Sequence, residues 1–248
     1  QSSILLTNKG VNADYVRQII NLTQTTSGSY LLLASLDISR RNLALRGEES
    51  FAKVMDMAEY ARREINEIGG YYAYGKELVN GTSVYDYDVT KLSVHTLGLG
   101  LAGIEVYDLL RDEYDIQIEF GDVSNILAYI SIGDRLQDIE RLVGALADIA
   151  RIYKKDSTGM LSGEFISPIV ARSPQEAFYS AKESLPVEKT EGRISGEFVM
   201  CYPPGIPILA PGEMITDEII QYILYVKEKG CSMQGTEDKS VNKLKVLV

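Results

Sequence analysis

From Met200 to Glu213 the chain reads Met-Cys-Tyr-Pro-Pro-Gly-Ile-Pro-Ile-Leu-Ala-Pro-Gly-Glu, the stretch that most restricts what it can fold into. Four of its seven prolines and two of its glycines fall here. Each proline fixes φ and removes a backbone donor, and each glycine opens the positive-φ region, so the backbone is held or freed at nearly every step. A tether would be polar, whereas this segment carries Ile206, Ile208 and Leu209. The pattern predicts a rigid, buried wall, and an ordinary structural loop is the plainer reading.

Composition removes several classes of function. The 248 residues are 45% hydrophobic and 24% charged, as in an ordinary globular protein of one large or two medium domains. A net charge of -10 with no basic patch argues against a nucleic-acid partner. No apolar run approaches a membrane span, and no secretory pattern opens the chain. Two cysteines, Cys201 and Cys231, form neither a disulfide framework nor a metal-ligand spacing, so a cytoplasmic location is expected. A multi-histidine zinc site is impossible with one histidine, and no metal site is expected. That residue, His95, follows Leu92 and Val94 in a strand-like alternation and reads as structural or surface-exposed. The chain starts at Gln1 without an initiator Met, and the expectation is a piece of a longer polypeptide.

Three blocks can be read along the chain. In the first, to about residue 47, Val16, Ile19 and Ile20 predict a helix over Asn12 to Leu22. A hydroxyl cluster, Thr25-Thr26-Ser27-Gly28-Ser29, then leads into a helix from Tyr30 that is apolar nearly all round, and so predicted to be buried. The second block opens with a long amphipathic helix, about Glu48 to Ile68, stopped by Gly69-Gly70. Strands are predicted at Val89 to Val94, Ile116 to Phe120 and Asn125 to Ile132, with a helix around Ile104 to Arg111 and a second after Asp134, which with Gln137 resembles a capping box. This order describes a compact α/β subdomain. Lys154 to Gly159 is the boundary candidate. Beyond it, Ser173-Pro174-Gln175-Glu176 and Thr216-Asp217-Glu218 each open a helix, Gly230 ends the latter, and Asn242 to Val248 is a terminal strand.

The proline-rich segment, preceded by Gly192-Arg193-Ile194-Ser195-Gly196-Glu197, resembles the C-terminal signature of the bacterial ornithine/lysine/arginine decarboxylases, with its Tyr-Pro-Pro-Gly-Ile-Pro core followed by Pro-Gly-Glu. The resemblance extends over essentially the whole chain. It implies an α/β fold: the end of an aminotransferase-like large cofactor domain (residues 1–47), a small α/β domain (48–155) and the family's C-terminal α/β domain (156–248). It further implies a pyridoxal 5'-phosphate-dependent lyase that decarboxylates arginine, lysine or ornithine toward polyamines, working as a homodimer or higher homo-oligomer. The Schiff-base lysine is expected upstream of Gln1, in the N-terminal part of the same polypeptide, so no catalytic residue is expected in this chain and the chain alone should be inactive. A non-catalytic assembly module and an aminotransferase-like enzyme are the alternatives.

Individual residues carry two readings each. Thr25, Thr26 and Ser27 can cap the helix that follows; the resemblance implies that they reach the phosphate of the partner subunit's cofactor, with Gly28 in place of the usual proline. Glu119 alternates with Ile118 and Phe120, as a solvent-facing strand carboxylate would; the resemblance implies that it binds the distal cation of a small basic amino acid. Tyr202, Pro203 and Gly205 would form part of an active-site wall, with Tyr202 either offering its hydroxyl to a ligand or bonded to backbone. Lys91, in an Asp-Val-Thr-Lys context, reads as a solvated cation at a strand start, and Glu213 as a cap for the next helix or a surface charge.

Overall fold

A computed structural model describes residues 2–157, 166–202 and 205–248. The chain divides into two compact units, Gln1–Lys53 and Val54–Val248.

In the first unit, helix α1 (Ala13–Thr23) starts where Asn12 accepts hydrogen bonds from the N–H groups of Asp14 and Tyr15, both at 3.1 Å. This is the side-chain cap that satisfies otherwise orphaned donors. Helix α2 (Tyr30–Ile68) is 39 residues long and begins in this unit. Two separate helices were expected over this range. They are one because residues 37–50 contain no proline and are mostly good helix formers, with Asp37–Arg40 and Glu49–Lys53 ion pairs along the exposed side. The predicted burial of its first turn is also corrected: Tyr30 is 90% exposed and Leu31 84%. No residue of α1 is buried either.

The second unit takes the rest of α2, where Val54, Ala58, Ala61 and Ile65 form a buried stripe at helical spacing. Gly69 and Gly70, with φ of +80° and +82°, end the helix as expected. A four-stranded antiparallel sheet follows, in the order β1 (Tyr72–Ala73), β2 (Lys91–His95), β4 (Asn125–Tyr129), β3 (Phe120–Gly121). Leu92 and Val94 of β2 point inward while their neighbours are half-buried, the one-sided alternation of a covered sheet. Helices α3 (Gly103–Tyr114) and α4 (Leu136–Ile152) complete this core, with Val106, Leu110, Leu142, Leu146 and Ile149 packed against Ile65, Leu92 and Ile126. Asp134 does not cap α4. It accepts from Ser131 N–H, while Asp138 accepts from the Arg135 N–H at the helix start.

The remaining elements form a second core. Helix α5 (Pro174–Tyr179) opens on the full reciprocal box: Ser173 Oγ accepts from Glu176 N at 3.2 Å and Glu176 Oε2 accepts from Ser173 N at 2.9 Å. Strand β5 (Lys182–Pro186) pairs with the terminal strand β9 (Lys243–Leu247), and β6 (Val199–Tyr202) lies between β7 (Ile206–Leu209) and β8 (Ser232–Gln234), all antiparallel. Helix α6 (Asp217–Glu228), capped by Thr216, buries Ile219, Ile220 and Ile223 against Val199, Leu209 and Val246. Glu213 does not cap it. Its carboxylate accepts from the Ala210 N–H at 2.8 Å and closes the Ala210–Glu213 turn.

Candidate active-site elements

The proline-rich segment is a β-hairpin. Strands β6 and β7 pair from Val199↔Leu209 to Cys201↔Ile206. Pro207 is tolerated because β7 is an edge strand, where its missing N–H breaks no ladder. One face is buried, with Val199 and Leu209 inaccessible and Cys201 nearly so, while Tyr202 is half exposed and Ile206 69% exposed. The expected buried wall is therefore a projecting hairpin in this chain. Its hydrophobic residues alternate faces, and only one face meets α6. Gly205 closes the turn, donating its N–H to Cys201 O at 2.9 Å with φ at +87°. A Cβ there would stand 3.2 Å from the Tyr202 ring, so the glycine serves both backbone and packing. Pro203 lies outside the described residues.

Glu119 sits just before β3. The predicted strand from Ile116 is corrected: only Phe120 and Gly121 pair as β3. The preceding residues are held to α3 instead, with Ile116 N–H bonded to Leu110 O at 2.8 Å and Gln117 to the Tyr107 hydroxyl at 2.7 Å. Glu119 extends the ladder by one bond, from its N–H to Leu127 O at 3.0 Å. Ile118 is buried and Glu119 is exposed, as the alternation requires. Among the described residues, the Glu119 carboxylate takes part in no hydrogen bond or ion pair. It lines a surface groove of about 370 Å³ with Tyr129, Asp134, Asp138 and Arg141, floored by Ile118 and Ile130. Arg141 is spent on the end of α3, at the carbonyls of Tyr114 and Asp115, and Asp138 on Arg135. The groove thus offers more carboxylates than free cations. Neither Tyr202 nor Gly205 lines it.

Thr25, Thr26 and Ser27 lie in the first unit, exposed, between α1 and α2. They do not cap α2: among the described residues their hydroxyls make no hydrogen bond, and the helix starts with the Leu33 N–H bonded to Ser29 O at 2.9 Å. The three hydroxyls stand three to five residues before α2 begins.

The other residues singled out in the sequence are structural. His95 is half-buried, its Nδ1 3.3 Å from Asn125 Oδ1 and its ring edge-on to Tyr74. Lys91 pairs with Asp88 at 3.3 Å and lies 4.5 Å from the centre of the Tyr129 ring. The acidic partners of Glu119 went unread because Asp134 and Asp138 belong to a helix start in sequence, and only the fold of α4 against β4 turns them to the same groove. No group of three or more metal-ligating side chains occurs among the described residues, and no described helix is long and apolar enough to cross a membrane.

Comparison with known proteins adds family context. Residues 1–138 match the Orn/Lys/Arg decarboxylase major domain and residues 163–239 the C-terminal domain of the same family. Arginine decarboxylase of Bacillus subtilis strain 168 is 40% identical over the whole chain, and that of Bacillus anthracis 41%; the chain covers 51% of each. It thus spans about half the length of the curated relatives it matches. In fold it resembles the constitutive lysine decarboxylase of E. coli, with a TM-score of 0.71 at 18% identity over 97% of this chain and 46% of that one. The Francisella novicida lysine decarboxylase LdcF gives a TM-score of 0.71 at 19% identity, over 96% of this chain and 46% of that one.

Proposed function

The chain belongs to the Orn/Lys/Arg decarboxylase family, and from that premise we propose that the full-length protein decarboxylates a basic amino acid: arginine, lysine or ornithine. The observation that carries the reading to this chain's own residues is the free carboxylate of Glu119 in its acid-rich groove. A carboxylate with no partner among the described residues is available for a charge-assisted hydrogen bond to an ammonium or guanidinium. Asp134 adds negative potential around it, and the floor of Ile118 and Ile130 suits the methylenes between the two ends of such a substrate.

Pyridoxal 5'-phosphate is the proposed cofactor; when bound, it supplies a sink for the electron pair left as CO2 departs. Thr25, Thr26 and Ser27 would hold a phosphate of the partner subunit's cofactor, hydroxyls and helix N–H groups donating to its oxygens. Tyr202 and Gly205 would bound the active site with a stiff hairpin that limits water. In this reading residues 1–47 complete the cofactor domain, 48–155 form the small domain and 156–248 the C-terminal domain. The covalent chemistry belongs to the rest of the polypeptide. A homodimer, a cytoplasmic location and a product directed to polyamines are part of the same proposal. The exposed apolar side chains of Leu31, Leu6 and Tyr30 support an assembled state, since an isolated fold rarely leaves so many uncovered.

The test is CO2 release by the full-length protein supplied with pyridoxal phosphate and, in turn, arginine, lysine, ornithine and the neutral analogue norleucine. Release from a basic substrate and not from norleucine is expected. Activity on none of them would favour a non-catalytic module.

A further inference from the structure

Cys201 and Cys231 are thirty residues apart in sequence, with all of α6 between them, yet the fold brings them together. Cys201 lies on β6 opposite Met233 of β8, and Cys231 stands two residues before Met233, so both side chains project from the same face of the sheet. They share a buried cluster with Val123 and Val226. The two are not equivalent. Cys231 lines an open groove of about 520 Å³ beside Lys227, Met233 and Thr236, whereas Cys201 does not.

We infer that Cys201 and Cys231 form a reversible intrachain disulfide, with Cys231 as the thiol that meets a small oxidant in the groove and Cys201 as the one that resolves it. The electrostatics agree with this division of labour: the neighbouring Cys201 thiol lowers the pKa of Cys231, while Cys231 and burial push the Cys201 thiol up. Asp122, Asp108 and Glu105 oppose the thiolate at Cys231 and repel anionic disulfides, so a small neutral oxidant such as hydrogen peroxide is the fitting one. The Cys231 sulfur attacks a peroxide oxygen, the O–O bond breaks, hydroxide leaves, and a sulfenic acid forms. Cys201 sulfur then attacks the Cys231 sulfur, the S–S bond forms, and water leaves. Two thiols lose two electrons and two protons; one peroxide becomes two waters. The bond staples the end of β6, beside Tyr202, to the segment that enters β8.

The native protein treated with hydrogen peroxide, then denatured, alkylated and digested, tests this by mass spectrometry. A linked pair of peptides containing Cys201 and Cys231, lighter by two hydrogens and separated again by dithiothreitol, is the expected result. The urea midpoint should rise on oxidation, because the cross-link restricts the unfolded chain. In Cys201→Ser the sulfenic acid should persist at Cys231 and be trapped by dimedone, while Cys231→Ser should leave Cys201 unmodified. Full alkylation of both cysteines in peroxide-treated wild type, or oxidation of Cys231 to the sulfinic acid without the linked pair, would overturn the inference without touching the decarboxylase reading.

Discussion

Arg62 Nη2 donates to the carbonyl of Val89 at 3.0 Å from a side chain that is almost wholly buried. The same guanidinium donates through Nε to Tyr74 O at 2.5 Å and pairs with Glu59 at 3.1 Å, so one residue of α2 pins both ends of the 74–89 connection to the sheet. Arg62→Leu would leave two carbonyls unpaired and should cost about 2–4 kcal/mol in urea unfolding. Arg62→Lys, which reaches one carbonyl as a point charge, should fall between.

At the start of α5 the reciprocal box between Ser173 and Glu176 carries a helix of only six residues. Ser173→Ala should lower stability by about 1 kcal/mol, and Ser173→Gly by less, since glycine leaves the end open to water. A chemical denaturation series on the three proteins checks the order.

Glu105 should make the fold acid-sensitive. Its carboxylate is partly buried, which raises its pKa, but the Lys155 ammonium at 2.7 Å and the Ala102 N–H at 2.8 Å outweigh that and hold it below the ordinary glutamate range. A carboxyl depressed in the folded state contributes stability that is fully present above its unfolded pKa and is lost as the pH falls through the folded value. Glu105→Gln should therefore be less stable than wild type at neutral pH, by no more than about 1 kcal/mol for a partly exposed pair. The two should converge on acidification, as followed by Tm against pH.

Thr25, Thr26 and Ser27 offer a separation of roles. Because their hydroxyls make no hydrogen bond among the described residues, alanine at all three should change stability by under about 0.5 kcal/mol. In the full-length protein the same triple variant should lose pyridoxal phosphate more readily on dialysis. A large stability loss with unchanged cofactor retention would return them to a structural role.

Local signals were legible in the sequence where they act over a few residues. The Asn12 region, the Gly69-Gly70 stop, the Ser173 box and the Thr216 start all stand as read, because capping and positive φ are decided within one turn. The stripe of Val54, Ala58, Ala61 and Ile65 was likewise readable from its period. What escaped depends on partners distant in sequence. Residues 116–118 alternate like a strand but are claimed by α3. Nothing local makes Arg62 a buried clip or sets Cys201 beside Cys231. Ile206 and Leu31 show the opposite error: apolar residues read as buried remain exposed, because burial needs a surface to pack against and this chain does not supply one.

The central claim is tested most directly by steady-state decarboxylation in the full-length protein with Glu119→Gln, which keeps the shape and removes the charge. A hydrogen bond to a charged group contributes about 1.5–3 kcal/mol, so kcat/KM for the basic substrate should fall roughly ten- to a hundredfold. Pyridoxal phosphate content and Tm should match wild type, since the carboxylate holds nothing among the described residues. Unchanged kcat/KM on arginine, lysine and ornithine would contradict the account and leave Glu119 an exposed carboxylate beside a short strand.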